Sequence, residues 1–103
     1  VAVYVDNARI PATVARIRSR WSHLTADTEP ELHTFAQHIG LQRSWYQTCK
    51  RPCAPQGQPC PHWHYDVTDT KRTEAIAAGA QPIDIRKWVE IAKARRAAAR
   101  ATA

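Results

Sequence analysis

Cys49, Cys53 and Cys60 fall within one stretch of twelve residues and are followed closely by His62 and His64. Residues 49–61, which carry the cysteines, are rich in proline and cysteine and include a glycine. Thiolate and imidazole are donors that a tetrahedral Zn2+ ion prefers, and three sulfurs with one nitrogen close its coordination sphere. A closed sphere implies a structural ion, a clip for a long loop with few apolar residues of its own. The spacing, C-x3-C-x6-C-x-H, is not that of a standard zinc finger. One disulfide with a spare thiol, or three unconnected cysteines, are the competing readings, and a reducing compartment favours the metal. Residues two apart on a strand share a face, so His62, His64 and Asp66 point the same way and either histidine can complete the set.

A second group is scattered in sequence but falls at the ends of expected strands. Tyr4 and Asp6 share a face of the first strand, Trp45 and Gln47 a face of another, and His64 and Asp66 a face of a third, with His23 near the second strand. If these strands are neighbours, Asp6, His23, Gln47, His64 and Asp66 converge at one edge of the sheet. A carboxylate that fixes the tautomer of an imidazole makes a proton-transfer pair. That reading gives His64, Asp66 and Asp6 catalytic roles and leaves Tyr4, His23 and Gln47 to position a substrate. Lys71 and Arg72 start the helix that follows, where free amides and the helix dipole already favour an anion such as phosphate. The plainer reading is local: His64 pairs with Asp66, and Asp6 caps a turn. His33 and His38 sit on a helix and read as surface residues. There is no glycine-rich phosphate loop, no G-x-S-x-G elbow and no H-E-x-x-H motif.

The charge balance points to a class of partner. Fifteen Lys and Arg oppose nine Asp and Glu, for a net charge of +6 and a pI near 9.7. Arg9, Arg16, Arg18 and Arg20 follow one another with no acid between them, and Arg86, Lys87, Lys93, Arg95, Arg96 and Arg100 face only Glu90. Such asymmetry favours a polyanion, nucleic acid or a nucleotide, with Arg16, Arg18, Arg20, Lys71, Arg72, Lys93 and Arg96 as phosphate contacts. A solvated basic surface is the alternative. No apolar run approaches the roughly 20 residues that cross a bilayer. No signal peptide is read at the start, so the expected compartment is the cytosol, where thiols stay reduced.

The 103 residues favour one α+β domain, 1–103, with its core in 1–92, the metal loop at 49–62 and a basic, fraying tail at 93–103. The pattern predicts strands at residues 1–5, 21–26, 44–48, 63–67 and 82–85, with 8–20 as a basic loop containing one helical turn. It predicts a first helix over 30–39, with Thr28 and Glu31 spaced as a capping box and Gly40 as its stop. A second helix follows Thr68-Asp69 and ends at Gly79, and a third starts after Asp84 with Ile85, Trp88, Val89 and Ala92 as its buried stripe. The result is a small mixed sheet of four to five strands with three helices, and a zinc-clipped loop between two antiparallel strands.

Val3-Tyr4-Val5-Asp6, Trp21-Ser22-His23-Leu24, Asp27, Glu31-Leu32-His33, Phe35-Ala36, Gly40, Arg43, Trp45, Gln47, His64-Tyr65-Asp66, Lys71-Arg72 and Ala78-Gly79-Ala80 occur in that order. Together they resemble the small bacterial and phage family catalogued as domain of unknown function 4031, over most of residues 1–85. The resemblance implies no activity. It does imply that the cysteine cluster is an insertion into a shorter loop, so that His64 has a role of its own and His62 is the fourth metal ligand. It also implies that the basic tail after Trp88 is a local addition. Three functions fit: a nucleic-acid or nucleotide-binding domain, a small enzyme acting on a phosphorylated or nucleotide substrate, and an accessory module that binds other proteins as a homo-oligomer.

Overall fold

The computed structural model describes residues 2–49, 53–54 and 57–102; parts of the expected metal loop, 50–52 and 55–56, lie outside them, as do residues 1 and 103. Among the described residues there are three α-helices and one mixed sheet of six strands. The strands are β1 (Val3–Val5), β2 (Ile10–Val14), β3 (Ile17–Ala26), β4 (Tyr46–Gln47), β5 (His64–Thr68) and β6 (Gln81–Pro82). The helices are α1 (Glu29–His38), α2 (Asp69–Ala77) and α3 (Ile85–Thr102), with a 3-10 turn at Arg43–Trp45 before β4. The sheet order is β4-β5-β3-β1-β6, with β2 also paired to β3. Only β1 and β6 run parallel among the described pairs.

β3 organises the sheet because it is long enough to serve three partners. Its first half pairs with β2, its second half with β1 along the same edge, and β5 lies on the other side. Between β1 and β2 the register slips: Val5 faces Leu24 but Ile10 faces Trp21, so five residues advance on one side against three on the other. Asp6 opens this bulge and Arg9, at φ +46°, closes it. Bulges re-aim side chains.

The burial pattern of β5, with Tyr65 and Val67 buried and His64, Asp66 and Thr68 partly exposed, is the alternation of a strand with two unlike faces. Val3, Val5, Leu24, Ala26, Tyr65 and Val67 meet Leu32 and Ala36 of α1 and Ala75 of α2 to form the core. α3 lies against the opposite face, where Trp88 touches His23 and His64 and Arg95 touches Thr25.

The helix signals act as expected. Thr28 Oγ1 accepts from Glu31 N, and Thr68 Oγ1 accepts from Lys71 N. Gly40 at φ +83° lets Leu41 N reach Ala36 O, and Gly79 at φ +111° lets Ala80 N reach Ala75 O. Both are Schellman stops. Asp84 Oδ1 accepts from Arg86 N at the start of α3.

Four expectations change. Residues 8–20 are no loop; they form β2 and the start of β3, joined by Ala15 and Arg16 at φ +49° and +67°, both in the left-handed region. That is the two-residue hairpin geometry whose twist matches the strands, and this hairpin raises the strand count to six. Residues 44–48 give a 3-10 turn and only two strand residues, and the strand expected at 82–85 is the pair Gln81–Pro82, because Asp84 starts a helix. Finally, the stretch expected as a basic tail at 93–103 is helical through Thr102 as part of α3, since its last turns are alanine and arginine, both strong helix formers. No described helix is long and apolar enough to cross a membrane.

Candidate functional site

The cysteine loop brings its donors together. The Sγ atoms of Cys49, Cys53 and Cys60 lie 3.4, 3.5 and 4.0 Å from His62 Nδ1, and the Cys53 and Cys60 sulfurs are 3.3 Å apart. Bond lengths of about 2.3 Å to sulfur and about 2.0 Å to nitrogen give a tetrahedron with edges of roughly 3.5–3.8 Å. The four side chains therefore enclose a space of the right size and can hold a metal ion. No disulfide joins the three cysteines. The backbone N–H groups of Cys49 and His62 both donate to Cys60 Sγ at 3.4 Å. Burial opposes a Cys60 thiolate, but these donors outweigh it and hold its thiol below the ordinary value. Burial and the hydrogen bonds with Cys53 and Cys60 push the Cys49 thiol up to about 12. Burial, then the charge of Arg96, lowers His62, which favours the neutral imidazole that a metal needs.

His64 takes no part in this cluster. Its Nδ1 donates to the backbone oxygen of His62 at 2.6 Å, and its Nε2 lies 3.1 Å from Asp66 Oδ1. Gln47 Nε2 donates to the other Asp66 oxygen at 2.9 Å. On the neighbouring strand, His23 faces Asp66 in the β3–β5 ladder, and its ring centroid is 5.0 Å from that of His64. Asp6 is fully buried. Its Oδ1 accepts from Ala8 N at 3.2 Å and His23 N at 2.8 Å, while its Oδ2 meets His23 Nδ1 at 2.6 Å. The bulge after β1 makes this possible, because it removes the ladder partner of His23 N and turns Asp6 inward to replace it. Burial opposes a charged His23, but the hydrogen bond and charge of Asp6, with the charge of Asp66, raise its pKa on balance. Burial likewise opposes the Asp66 carboxylate, and the hydrogen bond and charge of His64 outweigh it, so that its pKa is lowered.

Five of the six polar residues singled out in the sequence thus meet: Asp6, His23, Gln47, His64 and Asp66. Tyr4 is held elsewhere, donating its hydroxyl to Asp27 at 2.9 Å. Among the cationic candidates, Lys71 Nζ donates to Ile39 O and Glu74, and Arg72 Nε donates to Asp6 O. Arg96 is half-buried and donates to Cys53 O, so it braces the cysteine loop. Arg16, Arg18 and Lys93 are exposed, and Arg20 is exposed on β3. His38 is exposed as expected, but His33 is half-buried, 2.9 Å from the Tyr65 hydroxyl and edge-on to Tyr46.

A cleft of about 440 Å³ opens beside the cluster, with Gln47 and Asp66 on its lining. Val14, Ile17 and Trp21 of the hairpin also line it, as does Trp45 of the 3-10 turn. Trp45 is 43% exposed, and Val14 and Ile17 are exposed as well, so the cleft presents apolar surface to solvent.

Two residues that sequence reasoning placed in other roles complete the site. Trp88, read as core alone, stacks on His23 at 5.6 Å and 19° and stands edge-on to His64 at 5.8 Å. Arg95, read as part of a basic tail, lies 3.4 Å over the Trp63 ring and donates to Pro61 O, Trp63 O, Thr25 Oγ1 and Ala26 O. Its signal was spacing: Trp88, Ala92 and Arg95 recur at helical intervals on one face.

No curated protein and no solved structure matches the chain. The family described as protein of unknown function (DUF4031) matches residues 3–95, so the start of α3, including part of the basic stretch after Trp88 expected to be a local addition, belongs to the shared pattern. The chain is a member of that DUF4031 family, and it carries a Cys3His cluster able to hold a metal ion.

Proposed function

We propose that this is a zinc-stapled domain that binds nucleic acid or a nucleotide in the cleft between the β2–β3 hairpin and Trp45. The observation that carries the reading is the lining of that cleft: exposed indole and aliphatic surface leads to a hydrogen-bonding floor of Gln47 and Asp66. Base faces stack on aromatic side chains at about 1–3 kcal/mol each, and base edges are read by amide and carboxylate groups. Arg16, at the hairpin tip, and the neighbouring Arg18 supply phosphate contacts. Three thiolates with one imidazole suit zinc among the available metals, and a closed donor set makes the ion a staple for the loop.

Titration of a short single-stranded oligonucleotide, followed by tryptophan fluorescence, tests this. Affinity is expected to fall steeply between low and moderate salt, since each neutralised phosphate releases counterions. Trp45→Ala is expected to weaken it by about 1–3 kcal/mol. Affinity that is flat with salt and indifferent to Trp45 contradicts the reading.

A second reading rests on a different observation, the two carboxylate-backed imidazoles 5.0 Å apart. In it the domain is a small enzyme acting on a phosphorylated or nucleotide substrate, with His64 as acid or base oriented by Asp66. Turnover of a nucleotide or oligonucleotide that His64→Ala abolishes while binding persists supports it, and turnover unchanged by that substitution removes it.

A further inference from the structure

His23, His64 and Asp66 each offer one donor atom, and these three atoms lie within 4.8 Å of one another. We propose that they form a second divalent-metal site, distinct from the cysteine clip and adjoining the cleft through Asp66.

Each of the three residues is held from behind. A metal-binding histidine donates its other ring N–H to a carboxylate or carbonyl, which fixes the tautomer and aims the free lone pair. His23 Nδ1 is taken by Asp6, which leaves Nε2 to coordinate. His64 Nδ1 donates to His62 O, so its Nε2 is directed at Asp66 Oδ1, 3.1 Å away. Asp66 is held at its other oxygen by Gln47. All three candidate ligands therefore have an outer partner on the atom that a metal does not need.

The short approach of His64 Nε2 to Asp66 Oδ1 supports the same conclusion. Ligands about 2.0–2.1 Å from a common centre are roughly 3.0–3.4 Å apart, and these two atoms are 3.1 Å apart. Trp88 covers both rings and limits their rotation. The side chains keep 19%, 14% and 24% exposure for His23, His64 and Asp66, so the site is reachable.

Two imidazoles with one carboxylate suit a borderline divalent ion such as Zn2+, Fe2+ or Co2+. Three protein donors leave at least one position open, unlike the closed Cys3His set, and Asp66 also lines the cleft.

The test uses the full chain with one equivalent of zinc already bound, titrated with Co2+ under reducing conditions. One further equivalent is expected to saturate, with weak d–d bands of nitrogen and oxygen ligation and no thiolate charge-transfer band. His23→Ala and Asp66→Asn are expected to abolish saturation, and Gln47→Ala, which only holds Asp66, to weaken it about 10–100-fold. Retention of the one zinc shows that each variant keeps the clip. The proposal is overturned if wild-type protein takes up no second equivalent, if the added cobalt shows thiolate bands, or if His23→Ala and Asp66→Asn bind it unchanged. The wild-type titration decides even where a variant fails to fold.

Discussion

Asp6 holds His23 twice, by the backbone N–H at 2.8 Å and by ring Nδ1 at 2.6 Å. One carboxylate therefore repairs a break in the β-ladder and sets the tautomer of an imidazole in the candidate site. The bulge between β1 and β2 and the site are one construction, which ties a local irregularity of the fold to chemistry.

Because Asp6 is fully buried and serves three donors, its removal is expected to destabilise the fold as well as the site. Asp6→Ala leaves those donors unpaired and is expected to cost about 2–4 kcal/mol in urea unfolding of the zinc-loaded protein. Asp6→Asn keeps an oxygen for the backbone N–H groups and is expected to cost less. Equal stability of the alanine variant and the wild type contradicts the described role.

His62 and His64 are predicted to separate cleanly by metal content. His62→Ala is expected to lose stoichiometric zinc at concentrations where His64→Ala retains it, because His62 Nδ1 faces the sulfurs while His64 faces Asp66. Elemental analysis after dialysis reads this directly. Zinc lost in His64→Ala and kept in His62→Ala reverses the assignment.

Arg95 anchors α3 to the sheet through a guanidinium stacked on Trp63 and hydrogen bonds to three backbone oxygens and Thr25. Arg95→Ala is expected to lower stability by about 2–4 kcal/mol, with the loss dominated by acceptors left buried without a donor. Arg95→Lys is expected to recover only part of it, since an ammonium neither stacks nor forks. Full recovery by lysine contradicts the stacked geometry.

The pair Arg9–Asp69 gives a pH signature. Arg9 reaches both Asp69 oxygens, at 3.2 and 2.9 Å, and holds its carboxyl below the usual carboxylate range. A lowered folded value stabilises above the unfolded pKa and is lost as pH falls through the folded one, so the contribution fades below about pH 4. Asp69→Asn is expected to remove this part of the acid slope of the melting temperature, with a smaller difference at high salt. Wild type and variant with parallel slopes contradict it.

α1 was legible because its cap, its apolar spacing and Gly40 all sit in one short stretch and agree. The polar cluster was legible for a related reason: period-two alternation puts His64 and Asp66 on one face, whatever the neighbouring strand is. The hairpin was not. Ala15 and Arg16 are poor signals for a left-handed turn, and all five residues of β2 are exposed, so no buried alternation marks it. Arg95 reads as tail in the sequence because an arginine ordinarily faces water; only the tertiary position of Trp63 beneath it gives it a buried role. Long-range pairing decided both cases, and neither is written in local pattern.

Three sulfurs and the His62 imidazole sharing one ion would leave His64 to Asp66 and His23. X-ray absorption at the zinc edge, on protein carrying one equivalent of zinc, tests it directly. The predicted spectrum has three sulfurs at about 2.3 Å and one nitrogen at about 2.0 Å, unchanged in His64→Ala. A shell dominated by nitrogen and oxygen, or one that loses its nitrogen with His64, contradicts it.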